Sequence, residues 1–427
     1  MRACWEVEIQ ELGREGDGVA WRDGRRLFVP WTLPGERWRV RVTGGGRDGL
    51  RGEPEVCLAA VERAEPRCRH FTRCGACRLQ HLPPALYRAF KRERVLRELC
   101  RRGLGEVPLE PLLEVPLASR RRIRLAYRRT PKQVVLGFRR LRGHDPIDVE
   151  ECPVARPELV RRLPLLRRHL AAIGAAGEAG EVMLCEMANG VELVLRFPLT
   201  PSLGDRERLA ALAEELDLAR VAVAGPAGVE PVVVRREPVL VLGSFRVAVP
   251  PGAFLQPTWE SERLLGDFVG RWLARGDRVA DLYAGLGALT LPHAARLRRL
   301  VLMEEHAACI AALRRALGNS AVVGAVRRDL ERRPLLAEEG PWDVLVLNPP
   351  RRGAWAQVRE LDPGWAPRLL YVSCNPATFA RDARALCARG YRLVQLTPLD
   401  QFPFSAEVEL MAVFADAGAE RAGAGEA

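Results

Sequence analysis

Between residues 278 and 414 the chain alternates short apolar runs with stretches whose apolar residues recur at helical spacing. Runs at 278–284, 298–303, 321–326, 342–348 and 368–374 predict buried strands, and amphipathic stretches at 288–297, 305–318 and 377–389 predict helices between them. Two further runs, 391–400 and 408–414, predict a closing pair of strands. Alternation of this kind builds a parallel sheet with crossover helices, a Rossmann-like α/β fold that takes ligands at the carboxyl ends of its strands. The first 60 residues follow another pattern. Runs at 5–12, 18–22, 25–31 and 36–42, split by Gly-rich turns, predict an OB-like β-barrel or a generic small β-module. Between these parts lie a helix at 85–103, a β-rich stretch at 115–150, an Arg-rich helical stretch at 155–175, and strands around a helix near 205–216 across 181–250. The expected division is a barrel at 1–60, a central α+β domain at 61–254, an α/β domain at 255–415 and a small, polar, disordered tail at 416–427.

Composition narrows the setting. No apolar stretch reaches the roughly 18 residues a membrane span requires, and the opening MRACWEVEIQ lacks the apolar core of a secretory signal, so a cytoplasmic protein is expected. Eleven cysteines, several of them clustered, then point to metal binding or catalysis rather than disulfides. A net charge of +12 and a pI near 9.6 suit a polyanionic partner such as RNA or DNA. The chain has only two lysines, Lys91 and Lys132, so the arginine excess also reflects a compositional bias. Nothing in the sequence indicates oligomerisation, and a monomer is expected.

Candidate chemistry gathers at the predicted strand ends. The turn DLYAGLGALT (281–290) places Gly285 and Gly287 where the backbone must turn sharply and approach a ligand, and Glu304, at the end of the next strand, is positioned to accept ribose hydroxyls. NAD and S-adenosylmethionine both fit. No third glycine follows at dinucleotide spacing, which favours S-adenosylmethionine. LNPPRRG (347–353) ends the fourth strand. Cys374 ends the fifth, in LLYVSCNPATFARD, before a helix with Asn375 as N-cap, a setting that lowers a thiol pKa; the alternative is a buried structural cysteine. In DQFPFSAEVELMAVF (400–414), Glu407 and Glu409 alternate with apolar residues and share a strand face, as a shielded base or as a solvated edge. Cys68, Cys74 and Cys77 (C-x5-C-x2-C), with the distant Cys152, suit a [4Fe–4S] cluster or zinc, with His70 and His81 as possible substitute ligands. Three close cysteines and one distant one favour the cluster. Arginines interleaved with Tyr127 and Phe138 at 119–129 and 137–142 suit RNA phosphates and bases, or a solvated surface.

From about residue 5 to 414 these motifs resemble the RNA uracil-C5 methyltransferases, which make 5-methyluridine. The resemblance rests on DLYAGLG, NPPR, SCNPATFARD and DQFPFS followed by VE, in that order. It implies a class I S-adenosylmethionine-dependent methyltransferase domain, with Cys374 as nucleophile and Glu409 as general base. Gln256, Tyr283, Gly285, Gly287, Ala288, Glu304, Asp329 and Asn348 would surround the cofactor. The N-terminal part and the four cysteines look most like the iron–sulfur members with a TRAM domain that modify 23S rRNA, which implies a [4Fe–4S] cluster on Cys68, Cys74, Cys77 and Cys152. The transfer-RNA members are the weaker match. Three positions depart from the family pattern: Ala288 stands for the usual Asn, Asn348 for Asp and Glu407 for His. Asn348-Pro349-Pro350 also suits an amino-group methyltransferase, and Ala288 with Asn348 suits a non-catalytic RNA-binding factor.

Overall fold

The computed structural model describes residues 3–46 and 48–418. Its largest sheet contains β1 (Arg278–Leu282), β2 (Arg299–Glu304), β3 (Val323–Arg327), β4 (Val344–Leu347), β5 (Arg368–Ser373), β6 (Tyr391–Asp400) and β7 (Glu409–Asp416). Across the sheet they run β3-β2-β1-β4-β5-β7-β6, with Leu113–Glu114 as an eighth strand beyond β6. The first five are mutually parallel and β7 is antiparallel to both neighbours. Strand order reverses between β1 and β4, and ligands of open α/β sheets bind at such a switch point.

The apolar runs are continuous because the sheet is buried on both faces. Successive residues alternate between two cores: Val344, Val346, Leu370, Val372, Met411 and Val413 point into one. Leu345, Leu347, Leu369, Tyr371, Leu410 and Phe414 point into the other. Helices Trp259–Arg271 and Ala307–Leu317 cover the first face with Leu265, Phe268, Val269, Ile310 and Leu313. Helices Pro84–Cys100 and Pro376–Ala388 cover the second with Val95, Leu99, Phe379 and Leu386. No described helix is long and apolar enough to cross a membrane.

A second sheet of six strands, within residues 122–234, packs against helices Leu163–Ala172 and Leu203–Glu215. A third occupies residues 4–59, where Val7, Ile9, Ala20, Leu27, Val29, Val40 and Leu50 form a separate core.

Several elements differ from the sequence pattern. The run 5–12 splits into Cys4–Glu8 and Glu11–Leu12, which pair with different strands. Strand Gly49–Ala59 was hidden by Gly49, Gly52 and Pro54, which break the alternation. The helix expected at 288–297 is only a 3-10 stretch, Leu291–Arg296, with Pro292 at its start removing a backbone donor. The tail expected at 416–427 lies outside the described residues from 419 onward, while Asp416 still belongs to β7.

Phe379 is fully buried, meets Tyr371 edge-on at 5.6 Å and Phe414 at 6.2 Å, and locks its helix onto β5 and β7. Phe379→Ala should therefore cost about 3–5 kcal/mol in urea unfolding; a loss under about 1 kcal/mol would mean that this face repacks around the gap.

Candidate active site

The carboxyl ends of β1 to β5 share one edge of the sheet. Beyond β1 the chain turns through Tyr283, Gly285 and Gly287, whose φ angles are +61°, +58° and +77°. A tyrosine in this left-handed region is strained, at about 1–2 kcal/mol. A side chain on Gly287 would strike Leu291 Cδ1 at 2.7 Å, whereas one on Gly285 would meet no atom within 4 Å. The Gly285 backbone therefore borders open space.

The Gly285 N–H donates to Glu304 Oε2 at 3.0 Å, and the His306 N–H donates to Glu304 Oε1 at 2.8 Å, so the acid at the end of β2 is fastened to the turn. Ala288 packs against the core. The Tyr283 hydroxyl lies 3.4 Å from Glu331 Oε1. Asp329, just past β3, accepts the Glu331 and Arg332 N–H groups at 3.0 and 3.2 Å. Asn348, just past β4, donates its backbone N–H to the Leu282 carbonyl at 3.2 Å.

Two buried acceptors in this region have no partner. One is Gln256 Oε1; its backbone carbonyl accepts from the buried Arg121 Nε at 2.9 Å. The other is Asp281 Oδ1, while Asp281 Oδ2 accepts from the Thr290 hydroxyl at 2.6 Å. Burial pushes the Asp281 carboxyl up to about 7, with the Glu304 charge adding to it. Asp281 lies within the DLYAGLG turn motif, which by itself assigns it no role. The signal was present, as a lone carboxylate in the otherwise apolar end of β1.

Strand pairing sets the second half of the site. β5 and β7 are antiparallel with Ser373 opposite Leu410. One further step of that register brings Cys374 across from Glu409, on the same face. Cys374 is half-buried and Glu409 is buried. Gln401 Nε2 donates to Glu409 Oε2 at 2.6 Å. Arg351, from the loop after β4, pairs with Glu407 at 3.0 Å. The Arg351 carbonyl accepts from Asn375 Nδ2 at 2.9 Å and the Thr378 hydroxyl at 3.1 Å. NPPR and the SCNP helix start thus form one hydrogen-bonded unit, which Arg351 ties to Glu407 beside VE. Sequence leads one to expect Arg351 in a stiff loop beside the cofactor, not as the partner of Glu407, and gives Gln401 no role.

Electrostatics corrects one expectation. Asn375 caps the following helix, its side chain accepting the Ala377 N–H at 3.2 Å, but the Cys374 thiol is not lowered. Burial, then the Glu409 charge, push it up to about 11 against the pull of Arg351. Burial pushes the Glu409 carboxyl up to about 8; the Gln401 hydrogen bond and Arg351 oppose the rise and Glu407 adds to it. Glu407 itself precedes β7 rather than lying within it.

Cys68, Cys74, Cys77 and Cys152 line a single pocket with His70 and Arg120. Burial raises the first three thiols, and the charge of Cys152 adds to each. His81 is buried with both ring nitrogens unpartnered and does not line this pocket. Among the described residues, no group of three or more His, Cys, Asp or Glu side chains is arranged to hold a metal ion.

A switch-point sheet with a glycine turn and an acid at the end of β2 has the form of an adenosine-cofactor site in an α/β enzyme, and the thiol–carboxyl pair stands on the same edge. Comparison with known proteins identifies the family. Residues 338–416 match the family model described as tRNA (Uracil-5-)-methyltransferase. A Caulobacter vibrioides protein described as an uncharacterized RNA methyltransferase is 39% identical, covering 96% of this chain and 99% of that protein. The 23S rRNA (uracil(1939)-C(5))-methyltransferase RlmD of Pectobacterium carotovorum is 33% identical, covering 97% and 95%. The fold matches that of Pyrococcus abyssi tRNA (uracil-54, C5)-methyltransferase, solved with S-adenosyl-L-homocysteine, at TM-score 0.72 and 22% identity over 96% of this chain and 99% of that one. The chain belongs to the RNA uracil-C5 methyltransferase family, whose members are S-adenosylmethionine-dependent enzymes.

The raised Glu409 carboxyl has a stability consequence. A carboxyl whose folded pKa is raised favours folding fully below its ordinary value of 4.5, and that contribution is lost as pH rises through about 8. Glu409→Gln does not titrate. It should therefore gain stability over the native chain as pH rises through this window, by roughly 2–4 kcal/mol. Denaturant melts from pH 5 to 9 measure the gap; a constant gap would show that Glu409 is not shielded.

Proposed function

We propose that this protein methylates C5 of a uridine in 23S rRNA through a covalent intermediate on Cys374, with Glu409 as general base. The carrying observation is the β5–β7 register, which faces the thiol toward the carboxyl at the edge where the glycine turn and Glu304 stand. The names of the RlmD relatives from Pectobacterium and Yersinia, 33% and 35% identical, support 23S rRNA as the substrate.

The residues present fit S-adenosylmethionine. Glu304 is held where it can meet ribose hydroxyls, the Gly285 backbone borders open space, and Gln256 and Asp281 keep unpartnered acceptors. Tyr283, Gly287, Ala288, Asp329 and Asn348 complete the surround in this reading. When bound, the cofactor supplies the methyl group.

Uracil C5 is a weak nucleophile, so the chain must activate it covalently. The Cys374 thiol gives up its proton to solvent, and the thiolate adds to C6, forming an Sγ–C6 bond as the C5–C6 π pair moves out as an enolate that makes C5 nucleophilic. C5 then takes the methyl group, leaving S-adenosylhomocysteine. Glu409 removes the C5 proton, the C5–C6 double bond re-forms and the Sγ–C6 bond breaks. C6 is inaccessible in a stacked base, so the uridine is flipped out first. Glu409 can serve as base because burial keeps its proton affinity high, while Gln401 holds one oxygen in place.

The four cysteines fit a [4Fe–4S] cluster. All four line one pocket, where burial and repulsion between thiolates oppose ionisation of Cys68, Cys74 and Cys77 until a cationic group offsets both. The cluster's part in this reading is to shape the central unit. The N-terminal unit is read as a TRAM-type, OB-like RNA-binding module. Arg26 lies 6.0 Å from the ring of the half-exposed Trp21, and Arg22 lies 4.8 Å from that of Trp5, which suits stacked bases. The division at residues 60, 254 and 415 belongs to this reading, with helix Pro84–Cys100 crossing it to support the catalytic sheet. The protein acts as a cytoplasmic monomer.

Cys374→Ala should abolish methylation of 23S rRNA transcripts, by at least about 10³-fold, and Glu409→Gln should trap a protein–RNA adduct on denaturing gels. Normal turnover by either variant defeats the mechanism. Protein purified without oxygen should carry about four irons and four sulfides per chain, lost on Cys77→Ser; stoichiometric zinc instead would replace the cluster.

A further inference from the structure

The loop between β6 and β7 carries Gln401 at one end and leads into Glu409 at the other, and one buried amine spans it. Lys91, one of only two lysines in the chain, is fully buried in helix Pro84–Cys100. Its Nζ donates to Asp400 Oδ1 at 2.8 Å, to the Phe402 carbonyl at 3.5 Å and, closely, to the Glu407 carbonyl. Three acceptors from both ends of one loop thus meet the three N–H bonds of a single nitrogen. The planar fork of arginine does not match that convergence. One helical turn earlier, the Tyr87 hydroxyl donates to Asp400 Oδ2 and accepts the Phe404 N–H at 3.0 Å. Phe404 is left-handed, at φ +61°, and its carbonyl accepts the Arg78 and Leu79 N–H groups at 2.7 and 3.0 Å, just past Cys77.

We propose that Lys91 is a positioning residue for the general base. It clasps Asp400 to Glu407 and thereby holds Gln401 and Glu409 in the geometry that takes the C5 proton. Tyr87 supports it from the same helix. The proposal rests on the assignment of Cys374 and Glu409 made above.

The test follows single-turnover methylation of transcribed 23S rRNA by the full chain, scoring both methylated RNA released and covalent protein–RNA adduct. Glu409→Gln is the control. Lys91→Met should slow release about 100-fold, as a misplaced catalytic group does. Adduct should accumulate while KM for RNA stays within about twofold, because addition to C6 and methyl transfer do not use the base. Tyr87→Phe should show the same pattern at about tenfold, and it carries the test if Lys91→Met does not fold. A purely structural role would instead lower adduct and product together. Loss of activity without adduct in the variant that folds, while Glu409→Gln accumulates it, overturns the role of Lys91 and leaves the mechanism standing. Unchanged turnover overturns it as well. No adduct with Glu409→Gln removes the base assignment, and this proposal with it.

Discussion

The antiparallel register between β5 and β7 is the constraint on which the site depends. Side chains alternate along a strand, so a slip by one residue would send Glu409 to the opposite face from Cys374. That slip is prevented by the core, not by the site. Leu370, Val372, Met411 and Val413 extend the row on which Cys374 and Glu409 lie, and all four are buried. Leu369, Tyr371, Leu410 and Phe414 fill the other face. Any shift would exchange the two rows and misfit both cores at once. The proposed nucleophile and base are therefore aligned by apolar packing that begins one residue away.

The same placement governs the charges. Both groups are held toward their neutral forms, and the ionised Glu409 carboxylate opposes ionisation of Cys374 across the strand pair. A negative thiolate is therefore easier to form while the carboxyl carries a proton. This coupling suits a reaction in which the two act in succession. Arg351 favours both ionised forms but is shared with Glu407. The rim of the site thus holds an ion pair, and the cation is partly neutralised before it reaches the sulfur.

Much of this was legible in the sequence because the sheet is buried on both sides. The runs around residues 278–284, 342–348 and 368–374 keep unbroken apolar stretches such as VLVL (344–347) and LLYV (369–372), and that signal survives without periodicity. The motifs at their ends then fell on one edge by the rule for open sheets. What stayed hidden depends on contacts distant in sequence. Lys91 meets its acceptors more than 300 residues away, and neither helix Pro84–Cys100 nor the 400–407 loop advertises the other. The Cys374 thiol was misread because helix position is a local property, while burial and the Glu409 charge come from the fold. Strand Gly49–Ala59 was lost to its own glycines and proline, since pairing with Arg37–Gly46 overrides weak local propensity.

The short Leu113–Glu114 strand has a consequence away from the chemistry. β6 is the outermost long strand, and a bare edge of that length invites another chain to add to it. Leu113 pairs with Leu399, Glu110 donates its N–H to the Leu396 carbonyl, and Leu396 donates to the Pro108 carbonyl. Residues 108–114 thereby occupy the hydrogen-bonding groups nearest the site with the molecule's own backbone. Self-association through that stretch is blocked from within, and a high cellular concentration of the enzyme carries less risk of sheet-to-sheet polymerisation there.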